Sequence, residues 1–452
     1  MTGELVAGVD VATATVRVQV HDPAGASLAQ SSRPLPAPVR SPGGRSEQDA
    51  QSWWPAARDC LAECTGLLGA RSSEITALAI SATSGTVVAV DARGEPVVPA
   101  LMYDDRRARA SWLADNFPAD AEQICHTPEV IARRLVGHPV ATDTSHALKS
   151  GYDAAAGEWA AGVPAVLLPQ VVRPTAVLGE VGREAAGLTG LPVGCEVRAG
   201  MTDGCAGQLA TGAVDAGQFV TVLGTTLVIK GVSEKLVHDP TGVVYSHLHP
   251  GGKWLPGGAA NIGGSALSDV DSTELPELDS AAAANGPASV LNYPLRGRGE
   301  RFPFQAAEAE AFQVGTPRDR VEEHRSRLEG IAFCERLALE RLATLGAVAE
   351  GPVRTAGGGA RSTAWCRVRA SVLDRPVLRV LGAGTALGAA LLAATGSIHP
   401  DLSTAAAEMV PKGELVEPDR AEVDALNSAY ARFAAELRER GWLSSASSAG
   451  PL

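Results

Sequence analysis

The stretch that decides the fold runs from Gly200 to Ser233, GMTDGCAGQLATGAVDAGQFVTVLGTTLVIKGVS. It sets one carboxylate close in sequence to a turn of phosphate size. Asp203 stands between Gly200 and Gly204 on a turn of small residues, where a ligand can approach the backbone closely. Residues Ala206 to Val214 then predict a helix of small residues. Phe219 to Leu223 and Leu227 to Ile229 are β-branched or apolar and read as two strands. Gly224-Thr225-Thr226 between them forms a hairpin tip that offers N–H groups and two hydroxyls to an anion.

The same plan opens the chain. In LVAGVDVATATVRVQVHDPAG, residues 5–25, two β-like runs flank a turn containing Asp10, Ala12, Thr13 and Thr15. A hairpin with Thr at its tip is commonly structural; its repetition half a chain later predicts two similarly folded domains, each giving one phosphate hairpin to a shared cleft. The length agrees, since 452 residues exceed what one hydrophobic core serves. The expected division is 1–215, 216–442 and a flexible tail 443–452, LSSASSAGPL, too polar and small to pack.

A net charge of −12 argues against a nucleic-acid partner, which would require clustered Lys and Arg. The start MTGELVAGVD has no basic n-region, and no apolar run approaches the length of a bilayer span. These features predict a cytoplasmic protein without membrane contact; a monomer or homodimer is the expected assembly. Seven scattered cysteines, an odd number, predict reduced thiols. Cys60 and Cys64 share a helical face, and buried thiols are the plain reading of that pair. His247 and His249 alternate on a strand without a third ligand for zinc.

In chain order, SPGGRSEQDAQSWW leads into a helix from about Asp49 to Leu68, capped by Asp49 or Ser52. A strand over Ile75 to Ser81 delivers SATSGT, with Ser84 and Gly85, at a strand end where parallel sheets place ligand loops. The cluster MYDDRRAR reads as an ion-paired surface, with a sugar-hydroxyl role as the alternative. TDTSHALKSGYDAAAGEW, Thr142 to Trp159, predicts a loop and helix beneath the cleft. PGGAANIGGSAL adds a glycine-dense turn, Gly257 to Gly264. A long core helix is expected between Pro317 and Glu350, and a last helix from Glu422 to Arg440. In VRTAGGGARSTAW a strand end runs into Gly357-Gly358-Gly359 and a helix from Ser362, where N–H groups can meet a nucleotide. Three glycines can equally make a plain loop.

Together these pieces resemble the FGGY family of carbohydrate kinases, within the actin, Hsp70 and sugar kinase superfamily. The matching pieces are GVDVATATVRV, EQDAQSWW, the Ser-Gly of SATSGT, YDDRR, GMTDG, LGTT, PGGAANIGG and TAGGGARSTAW. Their order covers nearly the whole chain, and no Walker A or GxGxxG sequence competes. The resemblance implies an α/β fold of two RNase H-like domains, the first on the sugar side and the second on the adenosine side. It implies a phosphotransferase of carbohydrate metabolism that uses ATP and Mg²⁺. Asp203 would be the catalytic base, and Asp10 would hold the metal. Asp10, Ser84, Gly85 and Asp203 would bind the sugar. Thr13, Thr15, Gly224, Thr225, Thr226, Gly264, Gly357, Gly358, Gly359 and Ser362 would bind ATP.

Departures from the family pattern shape the substrate expectation. Asp10-Val11-Ala12-Thr13 stands where many members have Asp-x-Gly-Thr, adding a methyl group beside the phosphate. Thr86, Val87 and Val88 stand where xylulokinases carry Gln and His, and Arg367 and Ser371 where Gln and Asp are usual. The chain is similar to a compact subgroup assigned to D-ribulose, which sets the expected acceptor as a ketopentose, D-ribulose before D-xylulose. A polyol such as glycerol is an alternative acceptor. A sensing protein that has kept the fold and lost turnover is an alternative of another class.

Overall fold

Strand β1 (Leu5–Val11), LVAGVDV, is buried at every residue, as a strand covered on both faces must be. It belongs to a computed structural model that describes residues 4–107, 109–160 and 165–443. β1 pairs antiparallel with β2 (Thr15–His21), and the Ala12 N–H donates to Thr15 O at 3.0 Å to close the tip. β2 pairs antiparallel with β3 (Ser27–Pro34), and β1 pairs parallel with β4 (Ile75–Ala82). Beyond β4, with β5 (Val177–Glu180) at the edge, β6 (Glu196–Arg198) runs parallel to β4 and antiparallel to β5.

Six strands of the second sheet repeat this plan. β7 (Phe219–Leu223) pairs antiparallel with β8 (Leu227–Gly231), and β8 pairs antiparallel with β9 (Trp254–Ala259). On its other side β7 pairs parallel with β10 (Val353–Ala356), β10 parallel with β11 (Val377–Arg379), and β11 antiparallel with β12 (Glu414–Val416). The repeat expected from two Thr-tipped hairpins therefore extends to the order and senses of six strands, and the second sheet adds a seventh, Tyr245–Leu248, beyond β9.

The chain forms two compact units. One is built from the chain up to Gly212 with His247–Gly252 and Ala383–Val410; the other from Ala213–Ser246, Lys253–Gly382 and the chain from Pro411 on. This differs from a single boundary at 215/216, because the helix Thr385–Ala394, TALGAALLAA, packs on β1 and β4 of the first unit. At Gly8 a Cβ would lie 1.9 Å from Ala386 O, so only glycine admits the helix so close. Helix Trp53–Leu68 packs on β2 and β3.

In the second unit the helix Arg320–Thr344 is the long element expected between 317 and 350. Its apolar residues join Phe433 and Leu437 of the helix Val423–Glu439 in one core. Leu443, expected at the start of a flexible tail, is buried in that core, and residues 444–452 lie outside the described residues. All seven cysteines are buried, and none forms a disulfide. Among the described residues no helix is long and apolar enough to cross a membrane.

Candidate active site

In the first sheet β6, β4 and β1 are parallel neighbours, and their carboxyl ends carry three expected site residues. Asp10 lies opposite Ser81 across β1 and β4; Ala82 at the end of β4 bridges Thr202, the residue before Asp203. Ligand loops gather at such ends because the parallel strands direct successive turns to one edge.

Asp10 is 1% exposed. Its Oδ2 accepts from Arg17 Nη1 at 3.0 Å, whereas Oδ1 is buried without a hydrogen-bond partner. Burial pushes its carboxyl above the ordinary range, against the pull of the Thr385 hydroxyl and Arg17. A buried acceptor in this state is costly until something satisfies it. Ser84, half-buried, shares a turn with Gly85, and its Oγ is likewise buried without a partner. Thr86 is tied to Thr83 by a 2.9 Å hydroxyl pair, and Val87 and Val88 are fully buried.

Asp203 is the first residue of the helix Asp203–Leu209, which begins three residues before the expected start and stops short of Val214. Its Oδ1 accepts the Gly204 N–H at 2.6 Å. At the first hairpin tip the Thr13 carbonyl accepts from Gln48 Nε2 at 2.8 Å, and Trp53 Nε1 donates to Gln48 Oε1 at 3.0 Å. Gln48 and Trp53 of EQDAQSWW thus brace the tip, a role the sequence did not signal. The Thr15 Oγ1 is buried without a partner. Asp105 of the YDDRR cluster is buried and accepts from Arg107 and from the Ser46 N–H.

The second unit carries an open cavity of about 1140 Å³ whose lining includes Gly224, Thr225, Gly264, Gly358, Gly359 and Ser362, six of the residues expected to bind ATP. Such a volume holds a nucleotide-sized ligand. Two of the N–H groups at this turn are used within the protein. The Gly264 N–H donates to Gly224 O at 2.8 Å and the Gly224 N–H to Thr226 O at 3.1 Å, so neither is available to phosphate. Among the described hydrogen bonds, the N–H groups of Thr225 and Thr226 serve no protein acceptor, which leaves them as the donors of the tip. The Ser362 Oγ accepts the Trp365 N–H at 3.1 Å and caps the helix Thr363–Leu373. Thr226 and Gly357 lie outside the cavity lining, and Thr13 and Thr15 belong to the other unit.

Asp279 and Trp365 also line the cavity. Asp279 Oδ1 is 2.7 Å from His324 Nε2, and the Trp365 Nε1 is buried without a partner. Trp365 closes the TAGGGARSTAW piece, whereas no motif contains Asp279. Arg367 is exposed outside the lining, and the Ser371 Oγ accepts the Asp419 N–H, so the two family departures on this helix do not touch the cavity.

Among the described residues no three His, Cys, Asp or Glu side chains converge as a metal cage. Mg²⁺ needs none, since it is commonly held by one or two carboxylates, with water and phosphate oxygens completing its shell. The partnerless Oδ1 of Asp10 fits that donor set.

The chain matches the N-terminal domain of the FGGY family of carbohydrate kinases over residues 5–111 and its C-terminal domain over residues 219–397. It is 29% identical to a xylulose kinase of Streptomyces rubiginosus, over 97% of this chain and 98% of the relative. It is also 29% identical to a xylulose kinase of Streptomyces coelicolor, over 83% and 84%. The crystal structure of a xylulose kinase from Rhodospirillum rubrum superposes with a TM-score of 0.87 at 26% identity, covering 97% of this chain and 99% of that one.

Proposed function

Because the chain belongs to the FGGY family of carbohydrate kinases, we propose that it transfers the γ-phosphoryl group of ATP to a terminal hydroxyl of a ketopentose. The observation that supports this most is the row formed by Asp10, the Ser84 turn and Asp203 at the carboxyl ends of adjoining strands. A hydroxyl attacking phosphorus must give up its proton as the O–P bond forms and the bond to the ADP oxygen breaks. Asp203 takes that proton. Ser84 Oγ and the Gly85 turn orient the sugar, and Thr225 and Thr226 donate to the phosphates. Asp10 Oδ1 would hold Mg²⁺ directly or through water, and that ion, when bound, supplies charge neutralisation at the phosphate oxygens.

Within the ketopentoses our first candidate is D-ribulose, on the sequence resemblance to a compact subgroup and on Thr86, Val87 and Val88, which are buried and hydrogen-bonded or packed within the protein. D-Xylulose is the second reading, favoured by the names of the relatives. ADP release over D-ribulose, D-xylulose, ketohexoses and glycerol tests both. A ketopentose should give the highest kcat/KM. Preference for glycerol would refute the acceptor assignment, and preference for D-xylulose would refute its order.

A further inference from the structure

The segment TDTSHAL folds into a buried polar knot that the reading above does not use. Asp143 caps the short helix Thr144–Leu148: its Oδ1 accepts the N–H groups of Ser145 and His146, at 2.7 and 3.2 Å, and the Ser145 hydroxyl at 2.5 Å. Its Oδ2 pairs with His146 Nδ1. The Ser145 Oγ accepts in turn, from the Thr202 N–H at 2.9 Å. Ser145 and His146 have no exposed surface, and Asp143 is 1% exposed.

Thr202 immediately precedes Asp203. It occupies the N-cap position of the helix Asp203–Leu209, yet its side chain makes no cap. Its backbone is instead held from two sides, by the bridge to Ala82 and by the Ser145 hydroxyl. That hydroxyl has a single proton, which is committed to Asp143, so a lone pair faces Thr202. Burial works against charge on both Asp143 and His146, but each offsets the other; Asp143 is held below the ordinary carboxylate range. His146 is held above the ordinary imidazole range by Asp143, with Glu129 and Asp203 adding to it. A buried ionic knot adds little net stability, and what it contributes is a fixed geometry.

We propose that Ser145, oriented by Asp143 and His146, is a positioning residue for Asp203. The inference rests on the reading of Asp203 as the base. A base displaced by about 1 Å loses on the order of 10²-fold in rate. Ser145→Ala should therefore lower kcat by roughly 10 to 10²-fold while leaving the KM for ATP unchanged. In an Asp203→Asn background the same substitution should cause no further loss, because residues that act as a unit are not additive. If Ser145→Ala does not fold, Ser145→Cys keeps the volume without a comparable acceptor and goes through the same comparison. An equal loss in both backgrounds would overturn the proposal. So would wild-type turnover for the Ser145 variant while Asp203→Asn is impaired. A silent Asp203→Asn would instead refute the base assignment, and the positioning role with it.

Discussion

Arg17 stands directly across the first hairpin from Asp10 and donates to its Oδ2 at 3.0 Å, leaving Oδ1 buried and without a partner. One oxygen is thereby fixed by protein and the other is held ready. If the second oxygen serves a cation, EDTA should abolish turnover and added Mg²⁺ restore it. Asp10→Asn keeps the shape but weakens the metal ligand, and should raise the Mg²⁺ concentration needed for half-maximal rate. An unchanged Mg²⁺ dependence in that variant would remove Asp10 from this role.

The turn at Gly264 admits no side chain, since a Cβ there would lie 2.5 Å from Gly224 O. Gly264→Ala should push the second hairpin tip away and raise the Kd for ATP by on the order of tenfold, the equivalent of about 1.4 kcal/mol. Isothermal titration with ATP checks it. Wild-type affinity would mean that the tip does not hold the phosphates.

The Asp143–His146 pair predicts a pH signature in stability. His146 is raised, so its contribution is complete below its unfolded value of about 6.5 and is lost as pH rises through the folded value. Asp143 is lowered, so its contribution is present above about pH 3.9 and is lost as pH falls through its folded value. His146→Gln leaves Asp143 buried without its ionic partner and should cost about 3 to 5 kcal/mol. Thermal melts across pH should show an alkaline decline in the wild type that the variant lacks. Parallel profiles would contradict the pairing.

Burial pushes the thiols of Cys64, Cys125 and Cys195 up to about 12, and all seven cysteines are buried. The native protein at pH 8 should therefore react with a thiol reagent only slowly, and the denatured chain should expose seven thiols. Rapid labelling of any cysteine in the native state would count against these environments.

The two hairpins and the strand Ile75–Ala82 were legible because their signals are local. Leu5–Val11 and Phe219–Leu223 are apolar or β-branched runs that end in Thr-bearing turns, and a repeated turn is visible without knowing what it packs against. The helix Thr385–Ala394 falls within the expected second domain yet belongs to the first unit, because TALGAALLAA is almost wholly apolar and its partner at Gly8 lies at the far end of the chain. Asp203 stood out beside Gly204, whereas Ser145 did not, since the bond that gives it meaning joins it to Thr202 across 57 residues. Gly264 illustrates another limit: a glycine-rich turn suggests open N–H groups, but only the structure reveals that this one is taken by Gly224.

Asp203→Asn tests whether Asp203 deprotonates the attacking sugar hydroxyl. Asparagine keeps the size and much of the hydrogen bonding but lacks the basic oxygen, and a positioned carboxylate contributes roughly 10² to 10⁴ in rate. Steady-state kinetics with the preferred ketopentose should give a kcat lower by that factor, with the melting temperature and ATP affinity close to wild type. A kcat near wild type would contradict the account, making Asp203 a turn residue and placing the base elsewhere.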